Sequence, residues 1–157
     1  MKIFIPIIIL LISFEINAQD LTLNETIEYL EEFYSTYSLT PYKHKITCTK
    51  YGKIEHRLIK ENGYIQEWEF NIEEVIVANQ YMIQDGIKTD ELAVIISCEK
   101  FNCIYYNYID PSGNIKSSLK KNKIGFYLKE NEQAIKIKKA LLHLQKLIKK
   151  QKDPFED

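Results

Sequence analysis

The chain has 157 residues, with 21 Lys and Arg against 22 Asp and Glu and a net charge of −1. That balance excludes a general electrostatic grip on nucleic acid, which needs a strongly basic face. A chain of this length buries roughly two-thirds of its unfolded surface, enough for a single domain that needs no metal or disulfide scaffold to fold.

The first residues read as a secretory signal. Lys2 is followed by an apolar run over 3–14, broken only by Pro6 and Ser13, and then by Glu15-Ile16-Asn17-Ala18. A charge, an apolar stretch and a small residue at the cut site, in that order, are what export machinery requires. Cleavage is expected after Ala18, which leaves a single domain over 19–150 and a frayed tail over 151–157, broken by Pro154. The apolar run is shorter than the roughly 20 residues a membrane span needs. No transmembrane span is therefore expected after cleavage, and no Cys lies near the cut to carry a lipid. The expected destination is the periplasm or the extracellular space, where disulfides persist.

A helix opens the mature chain. Thr22 and Glu25 form a capping-box pattern, and Leu23, Ile27, Leu30, Tyr34 and Tyr37 fall on one helical face before Pro41. Asn24-Glu25-Thr26 also matches the N-glycosylation pattern, but these residues already make sense as a helix start. Antiparallel strands are expected at 43–50, 53–60, 64–72, 74–83, 92–98, 103–109, 115–119 and 123–128. Asn62-Gly63, Asp85-Gly86 and Asp110-Pro111-Ser112-Gly113 supply turns. The sharpest strand signal is Trp68, Phe70 and Ile72 alternating with Glu67, Glu69 and Asn71. A long C-terminal helix follows over 132–150 with Asn131 as N-cap. Its apolar stripe is Ala134, Ile137, Leu141, Leu144 and Ile148, widened by Ala140 and Leu147. The fold class is thus α+β: an N-terminal helix, an antiparallel sheet or bent barrel of seven to eight strands, and a long helix packed on it.

One turn permits a register argument. A three-residue loop Glu61-Asn62-Gly63, with Gly63 left-handed, puts Ile54 and Leu58 on the face of Trp68 and Phe70. A two-residue loop would put Glu55 and Arg57 there instead. Burying the apolar set together favours the three-residue loop.

In an oxidising compartment, Cys98 and Cys103 flank a four-residue hairpin loop and are expected to form a disulfide, with Cys48 left over in a strand. For a metal, Cys48, Cys98, Cys103, His44, His56 and His143 lack the close pairs of structural zinc sites, and His44-x3-Cys48 is generic. No metal and no cofactor is expected. A Cys48 nucleophile with His44 or His56 as base is conceivable, but both lie in strands without a strained turn. There is no G-x-S-x-G element, and Glu67, Glu69, Glu73 and Glu74 read as a solvated sheet face. No catalytic residue is assigned. Two surfaces suit interaction: the strand bearing Tyr105, Tyr106 and Tyr108, because tyrosine joins apolar area to a polar tip, and the lysine side of the last helix, with Lys136, Lys139 and Lys146. Ile135 and Leu142 lie within that basic side.

The stretch Asn17-Ala18-Gln19, then residues 21–30, Cys98 with Cys103-Ile104, and Ala134, 140–144, Leu147 and Ile148 resemble small exported proteins of Bacteroidota. The likeness implies export and one-domain architecture and carries no active-site residue. A strand series closed by one long helix is also similar in order to pleckstrin-homology-like folds, and fold alone does not imply function. The expectation that follows is an exported, non-enzymatic binding or interaction module. Its partner would be a protein or an envelope component, not nucleic acid. The alternatives are a small secreted hydrolase or an envelope inhibitor of the immunity type.

Overall fold

The computed structural model describes residues 21–84 and 87–152. The expected signal peptide and cut site, the Asp85-Gly86 turn and the end of the tail lie outside the described residues. The order is α1 (Leu23–Tyr37), β1 (Lys43–Cys48), β2 (Lys53–Ile59), β3 (Ile65–Asn71), a 3-10 turn (Ile72–Glu74), β4 (Val75–Gln84), β5 (Ile87–Cys98), β6 (Ile104–Ile109), β7 (Ile115–Lys121), β8 (Lys123–Tyr127) and α2 (Asn131–Lys152). The strands form a five-stranded sheet in the order β1-β2-β3-β6-β7 and a three-stranded sheet in the order β4-β5-β8, all antiparallel. Both helices pack into the core, as the α+β pattern implied.

The two sheets are linked by a shared corner. The chain passes from one sheet to the other between β3 and β4, between β5 and β6, and between β7 and β8. The links are the 3-10 turn Ile72–Glu74, the loop between Cys98 and Cys103, and the single residue Asn122. The loop between Cys98 and Cys103 was expected to be a hairpin turn; it is instead one of these crossings, because β5 pairs with β4 and β8 while β6 pairs with β3 and β7. The disulfide itself is present, with Cα atoms 5.6 Å apart, and it clamps the corner. Around it Cys98 N–H donates to Asn122 O (2.8 Å) and Glu99 N–H to Glu74 O (3.0 Å), so all three crossings are tied together.

Three hairpins share one turn, with three loop residues and a left-handed glycine in third place: Gly52 (φ 84°), Gly63 (φ 79°) and Gly113 (φ 85°). Lys60 N–H donates to Tyr64 O (2.9 Å), closing Glu61-Asn62-Gly63 as the register argument required. Ile54 accordingly pairs with Phe70, and Leu58 with Gln66. All three glycines resist a side chain through φ, but their surroundings differ. A Cβ on Gly52 would meet Ile148 Cγ2 at 3.0 Å and Ile72 Cγ2 at 3.2 Å, whereas one on Gly113 meets nothing within 4 Å. Gly113→Ala is expected to cost about 1–2 kcal/mol for the backbone alone, and Gly52→Ala about 1–3 kcal/mol more through overpacking. Urea unfolding of the two variants measures the difference.

The helices are held by polar side chains as well as by their apolar faces. The capping box of α1 forms as expected: Thr22 N–H donates to Glu25 Oε2 (2.8 Å) and Glu25 N–H to Thr22 Oγ1 (3.4 Å). Thr26 of the glycosylation pattern is fully buried and donates to Thr22 O (2.8 Å). In α2 the expected stripe is buried, and the helix runs two residues past the expected end, to Lys152, where Lys152 pairs with Glu73. Asn131 lies inside the first turn and is not its cap. Its carboxamide reaches β5 instead, accepting from Leu92 N–H (2.7 Å) and donating to Asp90 O (2.7 Å). Gln145 donates to Ile72 O (2.7 Å) and Val75 O (2.8 Å), satisfying carbonyls freed where β3 breaks into β4. Among the described residues no helix is long and apolar enough to cross a membrane.

Candidate functional site

One face of the five-stranded sheet looks toward the helices, and its cover changes across the sheet. Cross-strand pairing places His56, Trp68, Tyr106 and Leu119 in one row and Leu58, Gln66, Tyr108 and Ser117 in the next. At the β1–β2 end His56 is buried; Trp68 and Tyr106 are partly buried; Leu119 on β7 is 45% exposed. The face thus starts in the core and ends in solvent.

The open half is aromatic. Trp68, the only tryptophan of the chain, stacks on His56 at 5.3 Å between ring centroids and packs obliquely on Tyr106 at 5.5 Å. Tyr64 and Tyr108 lie parallel at 5.3 Å. Lys121 Nζ sits 4.3 Å from the Tyr106 ring centre, and Lys60 Nζ 5.6 Å from that of Tyr108. Burial, together with the nearby Tyr108, raises the Tyr106 hydroxyl pKa despite a hydrogen bond with Gln66. Rings held by such contacts lose little freedom when a ligand covers them.

At the covered end of this face lies a largely buried polar chain that the sequence reading did not identify. His44 Nδ1 and His56 Nε2 share a hydrogen bond (3.2 Å), His44 Nε2 meets Thr40 Oγ1 (3.0 Å), and Thr40 Oγ1 meets Ser38 Oγ (2.8 Å). Tyr34 packs on both imidazoles and on Phe126, with its hydroxyl against Ser38 and the Tyr127 main chain. Burial pushes that hydroxyl up to about 12. Burial, then the neighbouring His44, drives the His56 pKa down to about 3, and burial lowers that of His44. Both imidazoles are neutral near pH 7, and a second proton would set two N–H groups against each other. The signal was available: the Gly52 turn obeys the same three-residue rule as Gly63. Applied there, it sets Ile46 opposite His56 and His44 opposite Leu58, all facing inward.

The expected site residues separate by strand alternation. Tyr106 and Tyr108 share the helix-facing side, whereas Tyr105 points to the other side, 47% exposed, with Lys120 Nζ 4.8 Å from its ring centre. That outer face is held by a carboxylate network: Arg57 Nε contacts Glu67 Oε2 (2.7 Å) and Glu55 Oε1 (2.8 Å), and Asn107 Nδ2 donates to Glu67 Oε1 (3.0 Å). Glu67, expected on a solvated face, is buried at the centre of this row, because both neighbouring strands contribute a polar partner to it, Arg57 from β2 and Asn107 from β6. On α2, Lys139 and Lys146 face solvent, and Lys136 pairs with Glu132 (2.7 Å). Leu142, expected within the basic side, packs against the core, whereas Ile135 stays 41% exposed.

The residues considered for nucleophilic chemistry are spent on structure. Cys48 donates to Thr49 O (3.3 Å), and burial pushes its thiol up to about 11, away from the thiolate that attack requires. His143 Nε2 meets Leu21 O (2.8 Å) and ties α2 to the start of the fold. Among the described residues no group of three His, Cys, Asp or Glu could hold a metal ion. The disulfide leaves one free thiol, so one is expected to react in non-reducing denaturant and three after reduction. Cys98→Ser with Cys103→Ser is expected to cost about 2 kcal/mol, the loop-entropy value for so short a ring.

Comparison of this chain with protein-family models, with curated proteins and with solved structures finds no match.

Proposed function

We propose that this protein is an exported, non-enzymatic binding module of the cell envelope or extracellular space, and that its binding surface is the open half of the five-stranded sheet. The observation that carries this reading is the row from His56 through Trp68 and Tyr106 to Leu119, anchored in the core at one end and exposed at the other. Such a row offers apolar area on rings that are already ordered, which is how interface anchors gain affinity at low entropic cost. The buried, hydrogen-bonded state of His56 and the raised thiol pKa of Cys48 favour binding over hydrolysis. The disulfide and the signal-like first residues support export.

The test is affinity capture from envelope and culture-medium extracts, using the wild-type chain beside Tyr106→Ala/Tyr108→Ala. A partner retained by the wild type and lost by the double variant is the expected result. A partner held equally by both, or none at all, rejects the reading. Replacing Lys136, Lys139 and Lys146 together by Ala is expected to leave capture unchanged, because those side chains stand on the solvent side of α2.

A further inference from the structure

The two edges of the five-stranded sheet are treated differently. At β1, α1 closes the edge with side chains: Ile46 N–H donates to Glu31 Oε2 (2.8 Å), and Ser35 Oγ donates to His44 O (3.4 Å). At β7 the ladder ends among the described residues, and every residue from Ile115 to Lys120 is exposed. An open edge presents unpaired N–H and C=O groups that template a further strand.

The chemistry of that edge selects its partner. Lys116, Lys120, Lys121 and Lys123 lie on or beside β7, and no Asp or Glu occurs between Pro111 and Glu130. Among the described residues only Lys116 of the four has a carboxylate partner, Asp110 (3.0 Å). Lys120 and Lys121 lie over tyrosine rings instead. Two copies of this edge would set lysines against lysines, so the charge disfavours self-pairing and favours an acidic strand.

An anchor stands at the corner end of the same edge. Phe101 is 82% exposed, the most exposed large apolar side chain described. It is carried on the loop closed by Cys98 and Cys103. Its neighbour Asn102 is left-handed (φ 57°), and Asn102 N–H donates to Asn122 Oδ1 (2.7 Å) just past the end of β7. The loop is covalently closed and hydrogen-bonded, so the backbone that displays the ring has little entropy left to lose.

We infer that the free edge of β7 receives an extended acidic polypeptide segment of a partner protein. The segment adds as a sixth strand, with carboxylates near Lys120 and Lys121, an apolar side chain beside Leu119, and Phe101 seated in an apolar recess of the partner. This rests on the binding reading above and names the partner's chemistry.

The experiment is selection from a displayed library of random peptides about a dozen residues long against the purified chain. The best peptide is then titrated in unmodified form and with alternate backbone amides N-methylated. The expected peptides are rich in Asp and Glu, with an apolar residue next to a pair of adjacent carboxylates. An affinity loss of about tenfold or more is also expected on N-methylation in one alternating set, on Lys120→Glu/Lys121→Glu, and on Phe101→Ala. Circular dichroism checks that these exposed substitutions leave the fold intact. Neutral or basic peptides, no peptides, or binding indifferent to N-methylation overturn the inference. If such an indifferent peptide still loses affinity in Tyr106→Ala/Tyr108→Ala, strand addition is rejected while the aromatic face stands as the binding surface. Indifference to both rejects the two readings together.

Discussion

Lowering the pH from 7 to 4 is expected to remove about 3 kcal/mol of folding stability, most of it through His56. The unfolded imidazole titrates near 6.5, whereas in the fold burial and the adjacent His44 hold it down to about 3. Between those values the unfolded chain binds the proton and the folded chain does not, so stability rises with pH across this window. It is fully present above about 6.5, falls steadily below, and levels off near 3. At about 1.36 kcal/mol per pKa unit, a drop to pH 4 amounts to about 3 kcal/mol, a large share of the 5–15 kcal/mol typical of a domain. His44 acts in the same direction, since burial also lowers its pKa. The Asp110 carboxylate is held down to about 2 by the Asn114 backbone N–H and by Lys116, so its contribution is lost only as pH falls from about 4 toward 2. Urea unfolding at several pH values tests this in wild type and in His56→Gln, which keeps a hydrogen-bonding group without an ordinary titration. The slope between pH 6.5 and 4 is expected to flatten in the variant. An equal slope in both proteins would show that the imidazole is not the source.

The second large effect concerns binding. Tyr106→Ala with Tyr108→Ala is expected to weaken partner affinity by about 30-fold or more, the scale of removing two interface anchors. Both rings are only partly buried, so stability should fall by only about 1–2 kcal/mol, chiefly through the lost contacts with Trp68 and Tyr64. Trp68→Ala would be a poorer probe. Trp68 stacks on buried His56, and its removal would disturb the core and the binding face together. Isothermal titration of the double variant separates the two effects. Affinity within threefold of wild type would place the binding surface elsewhere.

Much of this architecture could be read from local rules. The capping box named Thr22 and Glu25, helical spacing named the buried stripe of α2, and one argument about Gly63 set the register of β2 against β3. Local rules stopped at the corner. Nothing in Cys98-Glu99-Lys100-Phe101-Asn102-Cys103 distinguishes a hairpin from a crossing between sheets, because both bring the two cysteines within bonding distance. The choice is made by long-range pairing of β6 with β3 and β7. The same holds for Asn131, whose position suits an N-cap until β5, running on past the end of its pairing with β8, offers the N–H of Leu92 and the carbonyl of Asp90.

The candidate site was legible in fragments. Alternation along β6 separates Tyr105 from Tyr106 and Tyr108 without any structure, and the turn rule at Gly52 would have brought His44 and His56 together. What pattern alone could not convey is cover. The row that starts at His56 is buried there because α1 and β8 send Tyr34 and Phe126 over it, and it is open at Leu119, which is 45% exposed. Exposure of half a sheet face depends on where helices end in space, which no period along the chain encodes.

Trp68 gives this account its most direct measurement, since the only tryptophan of the chain stands on the proposed binding face. Its emission should be followed near pH 7 while the captured partner or the selected peptide is titrated in, with calorimetry in parallel. A saturable blue shift of Trp68 emission whose midpoint matches the calorimetric affinity is the expected result, because a ligand on Tyr106 and Tyr108 excludes water from the neighbouring indole. Saturable heat with unchanged Trp68 emission would contradict the proposed binding face.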